Sequence, residues 1–187
     1  MNEFSRYFYP QLNKEGLIID DRANGGGNVS PMILERLSRE PYRLTMRRGS
    51  ARIGTVPDAV QVGPKVCLIN KYSASDGDLF PWGFRALGLG KLIGTRTWGG
   101  IVGISGSLPY MDGTDIRVPF FTSFDPKTGS WIIENHGVDP DILIDNDPVK
   151  EWNGEDQQLD RAIQEVMKEL QDRKPLPGVP TPRDFSK

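Results

Sequence analysis

The hydrophobic pattern alternates between short apolar runs and segments with helical spacing. Residues 17–22 and residues 65–70 are compact apolar runs, which are typical of buried strands. Each run is followed by a polar or glycine-rich loop, and then by apolar residues three and four positions apart, which indicates an amphipathic helix. The positions that define these helices are Ile33, Leu34 and Leu37 after the first run, and Leu79, Phe80, Phe84 and Leu87 after the second.

Signals at the ends of these segments complete the prediction. Ser30 is a typical N-cap and Pro31 a typical first residue of the first helix, and Asp156 is predicted to cap a last helix. That last helix has apolar residues at helical spacing, namely Leu159, Ile163, Val166 and Leu170. Residues 41–64 are predicted to be irregular, and further strands are predicted at residues 91–95, 116–121 and 130–134.

The order of these elements predicts the fold class. Strands that alternate with helices are typical of an α/β fold with a mainly parallel sheet covered by helices. We predict one domain over residues 1–172 and a mobile tail over residues 173–187, because the tail has four prolines and no apolar period. Ligands of such sheets bind at the carboxyl ends of the strands, so the loops there are the candidate sites.

Composition and charge exclude several classes of function. The 187 residues include 23 basic and 25 acidic side chains, and a net charge of −2 disfavours nucleic acid or a membrane surface as a partner. A single cysteine, Cys67, and a single histidine, His136, exclude an internal disulfide and a Cys/His zinc site. Asp76 and Asp78 begin a calcium-loop pattern that fails at Phe80. We therefore expect no metal and no cofactor.

The loop after the first predicted strand is rich in glycine. Residues 24–28 read NGGGN and match neither the dinucleotide-binding pattern nor the P-loop pattern, which disfavours phosphate binding. Two interpretations remain open. The loop is a tight turn that permits close packing, or its backbone N–H groups face a developing oxyanion.

The loop after the second predicted strand contains a candidate nucleophile. Ser75 lies where the strand passes into a helix, a geometry that exposes a hydroxyl above a sheet. The alternative is that Ser73 or Ser75 only caps the helix, and the spacing alone favours this simpler interpretation. A serine mechanism also needs a base, and His136 near Glu134 is the only histidine, although a lone histidine is more often structural.

Four segments together resemble the tricorn protease family, serine peptidases related to the carboxyl-terminal processing proteases. The segments are residues 17–30, 70–80, 87–104 and 134–141, in the order that the family shows. The pairing of SDGD at residues 75–78 with GTRTWGG at residues 94–100 is specific. The resemblance implies the α/β core shared with the Clp protease and crotonase superfamily, and an endopeptidase that acts on peptides or unfolded protein.

The resemblance also implies roles for individual residues. Ser75 is similar to the nucleophile of the family, and the backbone N–H groups of Gly27 and Asp76 are similar to its oxyanion hole. Glu134 matches the acid that supports and orients the catalytic groups. Each role agrees with the chemistry of the local sequence.

Three departures from related enzymes refine this expectation. Processing proteases have a lysine after a Thr-aromatic-Gly triplet, whereas Gly100 stands there in this chain, which favours the tricorn branch and its histidine base. In that branch the base lies in an upstream segment. We therefore expect this chain to be the C-terminal portion of a larger protein, weak or inactive alone. His136 is interpreted as structural or substrate-lining, with a role as base left open. Residues 44–46 have no acid that would select basic P1 side chains.

Partners and location follow from the resemblance alone. It implies upstream domains of the same protein, assembly into hexamers and a cytoplasmic location, or a periplasmic one if the full protein has an export signal. The alternative from another class is a non-catalytic peptide-binding or assembly module that keeps the peptidase fold. An acyl-thioester enzyme of the crotonase type is disfavoured, because no adenine or phosphate pocket is indicated.

Overall fold

The described residues form five α-helices and eight β-strands. The computed structural model describes residues 1–50, 52–106 and 108–181. In chain order the elements are α1 (Asn2–Phe8), β1 (Leu17–Asp20), α2 (Ser30–Leu37), β2 (Arg43–Met46), β3 (Ile53–Val56), β4 (Lys65–Ile69), α3 (Asp76–Ala86), β5 (Gly90–Gly94), β6 (Gly103–Gly106), β7 (Arg117–Phe121), β8 (Ile142–Leu143), α4 (Pro148–Trp152) and α5 (Gln157–Asp172).

A four-stranded parallel sheet organises the chain. Its strands pair in the order β1-β4-β5-β8, and every pairing is parallel. All five residues of the central strand β4 are buried, as expected for a strand covered on both faces. The predicted α/β fold with a mainly parallel sheet is confirmed.

Helices cover both faces of this sheet. Because side chains alternate along a strand, Cys67 and Ile69 of β4 face a core built with α1, α2 and α3. Val66 and Leu68 face the opposite core, which includes Ala162 and Val166 of α5. Cys67 is therefore a core residue.

The helix α3 runs through a proline and a glycine, the two residues with the lowest helix propensity. Pro81 is buried inside the helix, where it cannot donate the usual backbone hydrogen bond. Gly83 lies against α2, and a Cβ there would stand 2.4 Å from Leu34 Cδ1. Packing between the two helices thus holds α3 together despite its low intrinsic propensity.

Several predicted elements are wrong. Residues 41–64 are not irregular but contain the antiparallel hairpin of β2 and β3. The strand predicted at residues 116–121 is present as β7, which pairs with β6 in a separate antiparallel hairpin and not with the parallel sheet. Residues 130–134 form no strand, and Trp131 makes only an isolated bridge with Phe124. Ser30 is the first residue of α2 and not its N-cap, a position that Val29 occupies.

The last helix begins where the sequence predicted. Asp156 is the N-cap of α5, and its carboxylate accepts a hydrogen bond from the N–H of Leu159. Residues 173–181 of the predicted tail contain no helix or strand, and residues 182–187 lie outside the described part. In the described residues no helix is long and apolar enough to cross a bilayer.

Candidate active site

Three loops meet at the carboxyl edge of the sheet, one after each of the adjacent strands β1, β4 and β5. The Ala74 N–H donates to the Asn24 carbonyl at 2.8 Å, which joins the middle loop to the glycine loop. The Trp98 N–H donates to the Ser73 carbonyl at 2.9 Å, which joins the middle loop to the loop after β5. The turn that contains Ser75 is therefore held from both sides.

Ser75 lies on a strained strand-to-helix turn. It is the N-cap of α3 and has φ 58° and ψ −114°, a conformation that a residue with a Cβ rarely adopts. Such strain costs about 1–3 kcal/mol and is found where a function requires it. A nucleophile on a sharp turn of this kind projects its hydroxyl above the sheet. Ser75 is thus the helix N-cap, as the simpler interpretation expects. A role as a cap alone does not require its positive φ, which favours the interpretation as a nucleophile.

The glycine loop packs directly against this turn. Gly26 has φ 117°, and a Cβ on it would stand 2.8 Å from the Ser75 Cβ, so only glycine fits. The Gly26 N–H donates to Asn24 Oδ1 at 3.1 Å. Both interpretations of the loop, a tight packed turn and an oxyanion site, remain compatible with this geometry.

Gly27 and Asp76 each present an unused backbone N–H. Within the described part of the chain, neither group has a hydrogen-bond acceptor. Asp76 is the first residue of α3, and the N–H groups of a first helical turn have no acceptor inside the helix. Such groups favour an anion, since the helix dipole adds positive potential there. These are the two groups for which the family resemblance implied an oxyanion hole, and that role stays a prediction.

The side chain of Asp76 has a different task from its backbone. Its buried carboxylate accepts from the N–H groups of Val29 at 2.9 Å and Ser30 at 3.0 Å, and from the Ser30 hydroxyl. It thereby satisfies free N–H groups at the start of α2. This contact fixes the end of the glycine loop to the start of α3.

Glu134 lies in a turn near the loop that follows β5. Its Oε2 accepts from the N–H groups of Ile101 at 2.7 Å and Val102 at 2.9 Å. Within the described residues, its other carboxylate oxygen, Oε1, accepts no hydrogen bond. The turn itself is held by the Asn135 N–H, which donates to the Gly99 carbonyl at 2.7 Å. One oxygen of Glu134 is thus oriented by the backbone, and the other remains available.

Asp78 was missed as a site residue by the sequence analysis, which considered it only as a calcium ligand. Its fully buried carboxylate accepts from the N–H groups of Ser75 at 2.9 Å, Gly99 at 2.8 Å and Gly100 at 3.2 Å. An acid three residues after a serine N-cap resembles a capping box, and this spacing was the available signal. No pattern in the sequence around Asp78 indicates its contacts to residues 99 and 100.

His136 contacts Asp139 and not Ser75. Its Nε2 lies 2.7 Å from Asp139 Oδ2, and its side chain is 56% exposed. It lines a cavity of about 720 Å³ between the second half of α3 and residues 125–139. Neither Ser75 nor Glu134 lines that cavity. The interpretation of His136 as structural or substrate-lining stays a prediction.

A buried acid lies beneath the glycine loop. Burial raises the pKa of Asp21 to about 8, and the negative charge of Asp76 adds to the rise, although the hydrogen bond from Asn24 opposes it. Asn24 Nδ2 donates to Asp21 Oδ1 at 2.9 Å, while Oδ2 is buried without a partner. The carboxyl is therefore largely protonated at neutral pH. Elsewhere in the described residues, no group of three or more histidine, cysteine or acidic side chains is placed to bind a metal.

The fold is an α/β domain with a strained serine turn at the carboxyl edge of its parallel sheet. The chain belongs to peptidase family S41, whose family model matches residues 1–144. Within that family its similarity is to tricorn proteases, as the four sequence segments indicated. The predicted resemblance is confirmed.

The relatives are much longer than this chain. The tricorn protease of Thermoplasma volcanium is 42% identical over 174 residues, which cover 91% of this chain and 16% of the relative. The tricorn protease homologue of Saccharolobus solfataricus is 40% identical over 170 residues, which cover 90% of this chain and 16% of the relative. The crystal structure of the tricorn protease superposes with a TM-score of 0.81 at 41% identity, over 91% of this chain and 16% of that one.

Proposed function

We propose that this chain is the nucleophile-bearing core of a tricorn-like serine endopeptidase that hydrolyses peptides or unfolded protein segments. The observation that carries the proposal is the turn at Ser75, where a strained nucleophile adjoins two unused N–H groups. A helix cap with no catalytic role needs neither the positive φ nor the glycine loop packed against it. Membership of family S41 supports the same reaction class.

The reaction proceeds through an acyl-enzyme. A base removes the Ser75 hydroxyl proton while Oγ bonds to the carbonyl carbon of the scissile peptide. The N–H groups of Gly27 and Asp76 stabilise the oxyanion that forms. The protonated base then gives its proton to the leaving amine as the C–N bond breaks, which leaves an ester on Ser75. The base then takes a proton from a water, whose oxygen attacks the ester carbon. As the bond from that carbon to Ser75 Oγ breaks, the protonated base returns the proton to Oγ, which releases the acid product and restores the serine.

Glu134 supports this machinery without being the base. Two N–H groups fix its Oε2, and Oε1 remains free to orient a neighbouring catalytic group. The base comes from a histidine of an upstream segment in the full-length protein. This assignment rests on the resemblance and on the contact between His136 and Asp139, which turns the only histidine of this chain towards another acid.

Labelling with a fluorophosphonate tests the proposal. The reagent forms a stable phosphonyl ester with an activated serine, and mass spectrometry identifies the modified residue. We expect labelling at Ser75 in the full-length protein and labelling at least about tenfold slower in the 187-residue chain, because general-base catalysis contributes about 10²–10⁴-fold. Ser75→Ala removes the target and is the control for labelling elsewhere.

Two outcomes would contradict the proposal. Labelling that persists in Ser75→Ala would assign reactivity to another side chain. A full-length protein that binds peptides but never labels at Ser75 would instead support a non-catalytic peptide-binding or assembly module. Equal labelling of the short and long chains would contradict only the upstream base and would require a base within this chain.

Partners and location are proposed from the resemblance. Upstream domains of the same protein would complete the site, and a hexamer would be the assembled form. Light scattering of the full-length protein tests the hexamer, and a monomer would contradict it. We propose a cytoplasmic location, which cell fractionation tests. A periplasmic location would require an export signal in the full-length protein.

A further inference from the structure

Four successive backbone N–H groups bind two different carboxylates. In the segment 99–102, the first two N–H groups donate to Asp78 at 2.8 and 3.2 Å. The last two donate to Glu134 at 2.7 and 2.9 Å. The segment is therefore held between an acid on α3 and an acid in the turn after residue 133. A shift of either acid must displace the same short piece of backbone.

Asp78 also binds the turn of the candidate nucleophile. Its Oδ2 accepts from the Ser75 N–H at 2.9 Å, and the same oxygen accepts from Gly100. The carboxylate is 0% exposed and makes three hydrogen bonds to backbone donors. Hydrogen bonds to a charged group are stronger than neutral ones, and loss of the carboxylate would leave buried N–H groups without an acceptor. An ordinary helix cap would bind its own helix start only.

We propose that Asp78 is a positioning residue that fixes Ser75 relative to Glu134 through the segment 99–102. This inference rests on the proposed peptidase function. Asp78 is not proposed to act on the substrate, because its carboxylate is buried and both of its oxygens accept from backbone N–H groups. It acts by holding the Ser75 N–H and the N–H groups of residues 99 and 100 on one carboxylate, which fixes the distance between the serine turn and the segment 99–102. Because a misplacement of about 1 Å can cost about 10²-fold in rate, such a link affects turnover directly.

The test compares Asp78→Asn with the unmodified chain in two measurements. The first is the rate of fluorophosphonate labelling at Ser75, in the form of the protein in which wild-type Ser75 reacts. The second is hydrogen exchange of the backbone amides of residues 99–102 in the 187-residue chain. Asparagine has one acceptor oxygen, and its NH₂ group would face N–H donors, so some of the hydrogen bonds that Asp78 accepts are lost. We expect labelling to slow by about tenfold or more.

Hydrogen exchange distinguishes this inference from the proposed function. Loss of the hydrogen bonds to Asp78 should speed hydrogen exchange of the Ile101 and Val102 amides, although these amides donate to Glu134 and not to Asp78. Unchanged exchange at both amides would overturn the inference, whether or not Ser75 reacts. Faster exchange in a chain whose wild-type Ser75 never labels would support the link and contradict the peptidase proposal.

Glu165→Gln is the matched control. Glu165 is also a buried acid, 2% exposed, and it pairs with Lys91 and Arg161 on the far side of the sheet. Its loss should lower stability without slowing Ser75 labelling or exposing residues 99–102. If Glu165→Gln slows labelling as much as Asp78→Asn, stability alone explains the effect and the inference is overturned.

A reciprocal variant decides the matter if Asp78→Asn does not fold. Glu134 is only half-buried, so Glu134→Gln is expected to fold. The link predicts faster exchange of Gly99 and Gly100, whose N–H groups bind Asp78. Protection of both amides at the wild-type level would show that the two acids act independently, and the inference would fail.

Discussion

Gly26 lies so close to Ser75 that a Cβ on the glycine would stand 2.8 Å from the serine Cβ. Gly26 also has φ 117°, which disfavours any residue with a side chain. The glycine loop and the candidate nucleophile are therefore one packed unit. Their conformations depend on each other, although they are 49 residues apart in the sequence.

Gly26→Ala should damage this unit. We expect a loss of about 1–3 kcal/mol in the free energy of unfolding, from backbone strain and from the contact with Ser75. Labelling of Ser75 should slow at the same time. Gly25→Ala is the matched control, because a Cβ there meets no atom within 4 Å and its φ is not positive. Equal effects of the two substitutions would contradict the close packing.

His136→Ala should leave Ser75 labelling within about twofold of wild type. The imidazole contacts Asp139, and exposed pairs of this kind contribute about 0–1 kcal/mol to stability. The measurement is the labelling rate in the 187-residue chain and in the full-length protein. A loss of about 10²-fold or more would identify His136 as the base. Asp139→Ala, which removes only its partner, is the companion variant.

Asp21→Asn should change the pH dependence of stability. The folded pKa of Asp21 is about 8, above its usual value of 3.8, so wild-type stability contains a contribution that falls as pH rises from about 4 to about 8. Above that range the contribution is flat. Asparagine resembles the protonated acid and can still accept from Asn24.

The free energy of unfolding of Asp21→Asn should therefore rise relative to that of wild type as pH rises. Chemical unfolding at about pH 5 and about pH 8 should show a relative gain of about 1–4 kcal/mol, since each unit of pKa shift corresponds to about 1.4 kcal/mol. Asp58→Asn, at an exposed acid, should show no such trend. A constant difference between the Asp21 variant and wild type across this range would show that the acid is already ionised.

Asp156→Ala should destabilise the chain by about 1–3 kcal/mol. Asp156 caps α5 and also accepts from Arg22 at 2.8 Å, so the substitution removes a cap and a part-buried ion pair. Arg22 chiefly, and the Leu159 N–H in addition, lower the pKa of Asp156 to about 2. Its contribution is thus present above about pH 4 and is lost as pH falls towards 2.

Thermal unfolding at neutral pH measures this effect. Asp160→Ala is the control, because Asp160 is exposed in the first turn of the same helix without capping it. An equal loss in both variants would indicate a general effect of negative charge near the helix start. The difference between Asp156→Ala and wild type should shrink at acid pH.

The pattern of apolar residues was sufficient to predict those helices and strands whose buried residues follow a regular spacing. β1, β4 and α5 were predicted within a few residues, because an apolar run or a helical period reports which face is buried. The serine turn and the glycine loop were also visible, since both require residues with special backbone freedom or capping ability. The family resemblance added roles to those residues.

Only the tertiary structure decided how these pieces meet. Glu134 was expected at the end of a strand, but a turn places it beside the N–H groups of residues 101 and 102. Asp78 carried a local signal for a helix cap and none for its contacts across 21 and 22 residues. Sequence periodicity reports burial over a few residues, whereas a hydrogen bond between distant loops depends on the packing of the whole sheet. The candidate nucleophile was therefore readable from the sequence, and the arrangement that would position it was not.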